Sequence, residues 1–299
     1  MAEPVTLVVQ PRGKPIRKLP ADTTIALSDS TAELYKRIAA ASATSVHRLR
    51  IAKGSDGSVV PNSTSTLVQD TGLRQKSVIT VKDLGPQIAW RTVFLVEYAG
   101  PLLIHPLIYC LRPYLYPYPS LSPTALPEPT SLQKLSLAMV TVHFLKRELE
   151  TLFVHRFSNA TMPAFNIFKN SGHYWLLSGL NLAVFAYGSS KTEISSNPLA
   201  VYAAIALFVA GELANLNAHL GLGFNWVTCP NYLFEIVSWT GVWIVNSLIS
   251  KSGFFSTALF VLVAGVQMAL WAAKKERRYR KEFGPQYKRK KFVMIPGLF

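Results

Sequence analysis

The chain has 299 residues, of which 49% are hydrophobic and only 16% are charged, and its formal net charge is +15. Soluble domains contain about 25% charged residues, so this composition excludes an ordinary soluble protein and predicts a polytopic membrane protein with soluble parts. The positive charge does not predict nucleic-acid binding, because ten Lys or Arg residues are concentrated in 272–299, directly after an apolar run. The two cysteines and six histidines show no zinc-ligand spacing, so no metal site is expected.

Residues 1–82 are predicted to form a small cytosolic domain. A β-rich run near the start precedes a turn rich in proline and glycine, and Ser30 or Thr31 can cap a helix. Two short strands are predicted to follow, at 48–51 and 78–81. A hairpin, a helix and short strands in this order resemble the ubiquitin-like β-grasp fold. The simpler interpretation of such a domain is a folded N-terminal cap, and the alternative is a docking module.

The remaining residues, 83–299, are predicted to form an α-helical membrane domain. About 20 apolar residues are needed for a helix to cross the hydrocarbon core. Six stretches fit this description: 88–111, 132–153, 171–187, 199–220, 233–249 and 254–273. An even number of spans puts both termini on one side of the membrane, and the basic tail indicates that this side is cytosolic. The proline-rich segment 113–129 cannot be a regular helix, so we expect a loop on the far side. No apolar leader follows Met1, so an internal span is expected to direct membrane insertion.

A polar stripe interrupts the second of these stretches. His143, Lys146, Arg147 and Glu150 follow the spacing i, i+3, i+4, i+7, so their side chains project from one face of a helix. Such a stripe can be a solvated or salt-bridged helix face, on which a surface Lys–Glu pair would be worth under ~1 kcal/mol. Between apolar spans it more often lines a cavity in the membrane domain, because polar groups at that depth are costly unless they serve a site.

A second polar group lies where an apolar stretch begins. Pro230 is suited to the first turn of a helix, where its missing N–H costs nothing. Asn231 and Glu235 then share a helix face, and Tyr232 lies beside Asn231. One interpretation is a helix start with an interfacial tyrosine, and the other is a pocket at the mouth of a membrane helix.

Several motifs give the chain a family resemblance. In chain order they are DLGPQ at 83–87, HFLKRELET at 143–151, NIFKNS at 166–171, CPNYLFEIVSW at 229–239, YRKEF at 279–283 and MIP at 294–296. Together they resemble the steroid 5α-reductase superfamily and, more narrowly, the very-long-chain trans-2-enoyl-CoA reductases of the endoplasmic reticulum. This resemblance implies an oxidoreductase that uses NADPH to reduce trans-2-enoyl-CoA to saturated acyl-CoA. It also implies a role in very-long-chain fatty acid elongation and sphingolipid metabolism, beside other elongation enzymes and the lipids of that membrane.

The resemblance also implies the residues of a site. Tyr232 matches the catalytic tyrosine of the family, and Lys146 and Gln87 match polar positions of the same site. We expect Tyr232 to donate a proton, Lys146 to tune it or to bind the oxyanion, and Gln87 to orient the acyl thioester. The expected cofactor-binding residues are Asn215, His219, Asn231, Glu235 and Tyr279. Two features depart from the broader superfamily pattern: His219 replaces an acidic residue, and the basic segment 287–292 lacks a proline.

The chemistry implied by the resemblance sets physical requirements for such a site. Reduction of an α,β-unsaturated thioester needs hydride at the β-carbon and a proton at the α-carbon, with negative charge growing on the thioester oxygen in between. A phenol beside a cation is a suitable proton donor, since nearby positive charge favours its ionised form. No glycine-rich dinucleotide fingerprint follows a predicted strand, so a nicotinamide cofactor would bind without a Rossmann domain.

Three other functions are compatible with parts of the sequence. A sterol or polyprenol reductase of the same superfamily is one, although the N-terminal domain and the 143–151 motif resemble the elongation enzymes. A membrane methyltransferase with a related C-terminal bundle would instead need S-adenosylmethionine. A non-enzymatic scaffold of the endoplasmic reticulum would have no need to bury a cluster of polar side chains in the membrane.

Overall fold

A computed structural model describes residues 4–116, 128–155, 161–188, 197–221 and 226–298. The chain forms two compact units. The first comprises Met1–Trp90 with Ser158–Asn166, and the second comprises Arg91–Phe157 with Ile167–Phe299. The boundary predicted between residues 82 and 83 stays a prediction. Most of the loop predicted at 113–129 lies outside the described residues.

The first unit contains a mixed β-sheet and one helix. Its strands are β1 (Pro4–Pro11), β2 (Asp22–Ala26), β3 (Leu49–Lys53) and β4 (Val78–Asp83), and its helix is α1 (Thr31–Ala41). Short 3-10 turns occupy Val46–Arg48 and Gln69–Thr71. The strand order is β2-β1-β4-β3, with β1 parallel to β4 and the other two pairings antiparallel. A separate pair joins β5 (Gln87–Ala89) to β6 (Thr161–Pro163) in antiparallel register.

Helix α1 begins at the predicted cap. The hydroxyl of Ser30 accepts a hydrogen bond from the Glu33 amide at 3.3 Å, an interaction typically worth about 1 kcal/mol. One face of the helix is buried against the sheet, with Leu34 and Ile38 fully buried. The buried hydroxyl of Tyr35 donates to a carbonyl and accepts the Ile51 amide at 3.0 Å, so the core contains no unpaired phenol.

An ion pair joins the ends of β3 and β4. The Arg48 guanidinium donates to both carboxylate oxygens of Asp83, with Nε 3.1 Å from Oδ1. These hydrogen bonds lower the pKa of Asp83, with partial desolvation acting in the opposite direction. Because its folded-state pKa lies below the unfolded value, the pair stabilises the unit above that unfolded value, and this contribution is lost as the pH falls through the folded-state pKa.

The second unit is helical. Its helices are α2 (Trp90–Cys110), α3 (Arg112–Leu115), α4 (Ser131–Phe153), α5 (Asn166–Gly172), α6 (Leu182–Tyr187), α7 (Pro198–His219), α8 (Pro230–Ile249) and α9 (Lys251–Phe283). A π-helix, His173–Asn181, connects α5 to α6, and a short 3-10 turn, Gly284–Gln286, follows α9.

Four helices of the described residues are long and apolar enough to cross a membrane. They are Trp90–Cys110, Pro198–His219, Pro230–Ile249 and Lys251–Gln286. They coincide with the first, fourth, fifth and sixth predicted spans, which supports a polytopic membrane protein. The second predicted span is one continuous helix, α4, but it carries the charged stripe. The third is divided among α5, the π-helix and α6, so the count of six stays a prediction.

Helices α7 and α8 approach closely at two glycines. A Cβ on Gly211 would lie 2.6 Å from the Ser238 amide nitrogen, and one on Gly241 would lie 2.5 Å from the Ala204 carbonyl oxygen. Neither position can take a larger residue without separating the helices. Small residues at helix contacts are typical of membrane domains, where close backbone packing replaces hydrophobic exclusion from water.

The chain after α9 folds back along the connection between α7 and α8. Val227 pairs in parallel with Phe292, and the Cys229 amide donates to the Val293 carbonyl at 3.0 Å. The buried Glu276 of α9 fixes this return segment, since its carboxylate accepts hydrogen bonds from the hydroxyls of Thr228 and Tyr287, both at 2.6 Å. The return segment therefore holds the start of α8 against α9.

Candidate active site

The stripe predicted on α4 is buried. His143 and Glu150 are each 2% exposed, and the side chains of Lys146 and Arg147 are also largely covered. They lie against polar residues of α7 and α8. The stripe is therefore not solvated: it is a salt-bridged helix face buried within the second unit, and the cavity expected along it stays a prediction.

His143 joins two carboxylates from different helices. Its Nδ1 lies 2.6 Å from Oε1 of Glu212 on α7, and its Nε2 lies 3.2 Å from Oε1 of Glu235 on α8. An ionised carboxylate can only accept a hydrogen bond, so both ring nitrogens must carry a proton. His143 is then a buried cation that fixes the lateral positions of α4, α7 and α8.

Lys146 occupies the next level of the same cluster. Its ammonium lies 2.9 Å from Oε1 of Glu150 and 3.0 Å from Oε2 of Glu212, and it donates to Oδ1 of Asn215 at 3.2 Å. The two carboxylate contacts are ion pairs, and the contact with Asn215 is a hydrogen bond. Lys146 is thus held by its neighbours on α4 and α7, and Tyr232 is absent from its described contacts.

Arg147 forms the outer layer of the cluster. Its guanidinium donates to Glu150 at 2.7 Å, to the Tyr98 hydroxyl at 3.0 Å and to Nε2 of His219 at 3.2 Å. The cluster therefore contains three cations, His143, Lys146 and Arg147, and three carboxylates, Glu150, Glu212 and Glu235. This balance matters because an unpaired charge at this depth would cost several kcal/mol.

Asn215 connects the cluster to the first turn of α8. While its oxygen accepts from Lys146, its Nδ2 donates to the Asn231 carbonyl at 2.8 Å and to Oε2 of Glu235 at 3.2 Å. The structure thus brings together Lys146 and three of the predicted cofactor residues, Asn215, Asn231 and Glu235. Both ends of the Asn215 amide are used within the protein.

His219 lies at the end of α7, 4.5 Å from the His155 ring between ring centroids. Glu150, His155 and His219 bring one potential ligand atom each to within 4.8 Å of one another, a grouping that could hold a metal ion. Arg147, however, already contacts both Glu150 and His219 through the same guanidinium nitrogen, Nη1. Its positive charge is therefore already paired with the carboxylate that would have to bind a metal ion.

Tyr232 faces α9. Its ring lies 6.5 Å from the Trp271 ring between centroids, and the Lys275 ammonium lies 4.7 Å from the centroid of the Tyr232 ring. Apolar side chains including Met268 and Ala272 surround this contact. The cation beside Tyr232 in the described residues is Lys275, which sequence reasoning did not single out.

The other two predicted residues lie elsewhere. Tyr279 lies one turn beyond Lys275 on α9, with its ring 6.0 Å from that of Tyr287. Gln87 belongs to the first unit, where its amide oxygen accepts from the Thr161 hydroxyl at 3.4 Å and its nitrogen donates to nearby carbonyls. The roles predicted for Tyr279 and Gln87 stay predictions.

Sequence reasoning also missed Glu212 as a partner of the stripe. Glu212 precedes Asn215 by three residues, so both occupy one face of α7. An acidic residue with that spacing, in an otherwise apolar helix, was a usable signal for a partner of the cations on α4. Lys275 gave no comparable signal, because it stands among exposed basic neighbours such as Lys274 and Arg277.

The chain is similar to one described protein family and to several named proteins. Residues 160–299 match the family described as 3-oxo-5-alpha-steroid 4-dehydrogenase. A very-long-chain enoyl-CoA reductase of Dictyostelium discoideum is 36% identical, over 91% of this chain and 92% of the relative. A candidate enoyl reductase of Schizosaccharomyces pombe is 38% identical, over 98% of this chain and 99% of the relative. A Mus musculus protein named trans-2,3-enoyl-CoA reductase-like is 32% identical, over 74% of this chain and 64% of its own length.

The four apolar helices and the relatives named as enoyl reductases define a membrane-embedded oxidoreductase, whose residues 160–299 are similar to the family given above. Since relatives align over nearly its whole length, the chain belongs to the family of very-long-chain enoyl-CoA reductases.

Proposed function

We propose that the protein reduces trans-2-enoyl-CoA to saturated acyl-CoA with NADPH, the last step of each cycle of very-long-chain fatty acid elongation. The observation that carries this proposal is the position of Tyr232, a phenol with a cation beside it at the start of a membrane helix, in a chain of this family. The proposed location is the endoplasmic reticulum membrane. The proposed partners are its lipids and the other elongation enzymes, with products used in sphingolipid metabolism.

The protein's part in the reaction is proton donation and charge stabilisation. The cofactor supplies hydride when bound. Tyr232 donates its phenolic proton to the α-carbon of the enoyl thioester, and the loss of that proton leaves a phenolate beside Lys275. Gln87 is proposed to orient the acyl thioester. Lys146 has its described contacts within the cluster, so we assign it the role of holding Asn215, and through Asn215 the first turn of α8.

The polar residues at the start of α8 fit a nicotinamide cofactor. In the described residues, no hydrogen bond engages the side-chain amide of Asn231 or the hydroxyl of Tyr279, so both can serve a ligand. An amide can pair with the carboxamide of nicotinamide, and a phenol can donate to a ribose or phosphate oxygen. Asn215 and Glu235 already have hydrogen-bond partners within the protein. They are proposed to fix the position of Asn231, through the bond from Asn215 to the Asn231 carbonyl. His219, which accepts from Arg147, supports the outer layer of the cluster.

We propose two further features of the architecture. One is a total of six spans with both termini in the cytosol, obtained when α4 and the segment from α5 to α6 are counted with the four apolar helices. The other is a ubiquitin-like β-grasp fold for the N-terminal domain. Its support is the strand order β2-β1-β4-β3, with the first strand parallel to the last and one helix packed on the sheet.

Purified protein should oxidise NADPH when given a long-chain trans-2-enoyl-CoA, and mass spectrometry should detect the saturated acyl-CoA. Tyr232→Phe removes the proton donor while it keeps the ring, so we expect turnover to fall about 10²- to 10⁴-fold. Affinity for NADPH should change little. Tyr202→Phe is the matched control, because Tyr202 lies on α7 with 70% of its surface exposed.

Near-normal turnover in Tyr232→Phe would remove Tyr232 as the acid. Activity on a sterol enone, with none on enoyl-CoA, would instead indicate a different reductase of the superfamily. Dependence on S-adenosylmethionine would indicate a methyltransferase. Inactivity on all of these substrates would favour the non-enzymatic scaffold.

A further inference from the structure

Lys275 differs from the basic residues around it. It lies on the part of α9 that continues past the apolar span, where Lys274, Arg277 and Arg278 are all exposed. Lys275 is half-buried instead, and its ammonium lies over the ring of Tyr232, 4.7 Å from the ring centroid. One cation of a basic cluster is thus partly covered and placed against the ring of a phenol.

The surroundings strengthen this contact. Trp271, one turn before Lys275, lies beside the Tyr232 ring, and Met268 and Ala272 are buried in the same cluster. Apolar walls reduce screening by water, so a charge interaction is stronger here than at an open surface. The return segment after α9 holds the start of α8 in place through Glu276 and Thr228, so the distance between the two helices is fixed.

We infer that Lys275 and Tyr232 form an acid dyad, in which Lys275 stabilises the phenolate that remains after Tyr232 gives its proton to the substrate. This inference rests on the proposed function. In the full step, a hydride adds to the β-carbon, the O–H bond of Tyr232 breaks as a C–H bond forms at the α-carbon, and the nicotinamide cofactor is oxidised. The phenolate then regains its proton from water. Lys275 is a positioning residue, since it acts through Tyr232.

A competing role for Lys275 is direct binding of a cofactor phosphate. The two roles differ in what they change. A phosphate ligand affects the KM for NADPH and leaves the ionisation of Tyr232 alone. A dyad partner affects the ionisation of Tyr232 and the turnover number, and leaves the KM for NADPH nearly unchanged.

The first test follows the ionisation of Tyr232 without substrate or cofactor. Ultraviolet difference titration of the protein against Tyr232→Phe isolates this one phenol. The other titratable groups near the pair are Cys229, Glu276 and Tyr279, and they are present in both proteins. In Lys275→Met, Tyr232 should ionise at a pH higher by about one to three pH units, since an opposite charge has been removed. Lys275→Arg should restore most of the original titration.

The second test is the pH–rate profile of the full-length enzyme. Lys275→Met should reduce kcat by about 10-fold or more and move the basic limb to higher pH, because a phenol without its cation is a weaker acid. Lys275→Arg should recover most of the turnover, whereas Lys274→Met removes an equal charge at an exposed site and should change neither quantity. In a Tyr232→Phe background, Lys275→Met should have little further effect.

The outcomes separate this inference from the proposed function. An unchanged titration and profile in folded Lys275→Met, with Tyr232→Phe still inactive, would overturn the dyad and leave Tyr232 as the acid. A raised KM for NADPH with unchanged ionisation would also overturn it and assign Lys275 to the cofactor. A displaced titration with normal turnover in Tyr232→Phe would support the charge interaction while the proposed catalytic role of Tyr232 failed.

Discussion

Asn215 is the residue on which the buried polar cluster depends. It is 2% exposed, and its amide oxygen accepts from Lys146 while its nitrogen donates to the Asn231 carbonyl and to Glu235. An amide is the side chain that can accept from a cation and donate to an anion at the same time. Through this one residue the charges of α4 fix the backbone at the first turn of α8, immediately before Tyr232.

We predict that Lys146→Met is strongly destabilising and lowers turnover. The substitution removes the Lys146 ammonium, which is paired with both Glu212 and Glu150 in the native protein. Breaking a buried ion pair typically costs about 3–5 kcal/mol. Thermal unfolding in detergent measures the loss of stability. Steady-state kinetics measures the turnover of the protein that remains folded.

The double variant Lys146→Met/Glu212→Gln supplies the control. It removes one carboxylate as well as one cation, so the charges of the cluster balance again and the unfolding temperature should rise above that of Lys146→Met alone. If both proteins unfold at the same temperature as the parent protein, the cluster does not hold α4 against α7 as the distances indicate.

The spacing of residues on one helix was predictable, but their partners on other helices were not. His143, Lys146 and Glu150 share a face because of the helical period, so their common face can be recognised from their spacing in the sequence. Their contacts with Glu212 and Asn215 depend on how α4 lies against α7, and that geometry is set by packing across the whole bundle. For the same reason Lys146 was a plausible partner for Tyr232 from sequence, whereas the structure brings Lys275 to the ring.

At the scale of the element, two helices differ from the sequence prediction. Helix α9 continues from the apolar stretch through the basic residues to Phe283, because no glycine or proline stands between Ala273 and Gly284. The stretch predicted as a single span at 171–187 includes a π-helix. In that segment the Ser178 hydroxyl and Asn181 amide donate to carbonyls four residues earlier, an interaction that competes with regular helical hydrogen bonds.

A polar clamp between three helices gives a prediction at this scale. Buried Asn246 of α8 accepts from the Ser136 hydroxyl of α4 at 2.7 Å and donates to Thr257 of α9 at 2.9 Å. We expect Asn246→Ala to lower unfolding stability by about 0.6–2 kcal/mol, the range found for hydrogen bonds between membrane helices. Turnover per folded molecule should be nearly unchanged, because the clamp is outside the proposed site.

Ser247→Ala on the same helix is the matched control. The Ser247 hydroxyl donates only to the Trp243 carbonyl of its own helix, so its loss should leave helix association intact. An equal loss of stability in both variants would argue against a specific role for the clamp between helices. The measurement is thermal unfolding in one detergent at one protein concentration.

At the scale of the whole molecule, composition alone predicted a polytopic membrane protein with soluble parts, and local strand and helix patterns predicted the N-terminal domain. Apolar runs identify helices reliably because a membrane span must satisfy its backbone internally. The span count is harder, since α4 combines a span-like length with four polar residues on one face. Those residues lower its mean hydropathy for the same reason that they form the cluster.

The topology gives a prediction at this scale. With six spans and a basic tail, both termini should be cytosolic. Protease added to sealed microsomes should therefore remove an epitope tag from either end, and a lumenal marker protein should stay intact in the same sample. Protection of one tag alone would require an odd number of spans, and α4 or the segment from α5 to α6 would be the first to reassign.

The last prediction concerns the N-terminal domain, 1–82. Its hydrophobic core is made by its own helix and sheet, and Leu7, Ile25, Leu34 and Ile51 are all fully buried. Removal of the domain therefore takes away this core as a whole. If the domain is a folded cap, protein that lacks these residues should keep turnover within about threefold in detergent, a change under 1 kcal/mol in barrier height. Gln87 and the segment that carries it remain in the shortened chain. The comparison is made on protein that elutes as one species and unfolds cooperatively. Complete loss of turnover in such protein would show that the N-terminal domain contributes to the site.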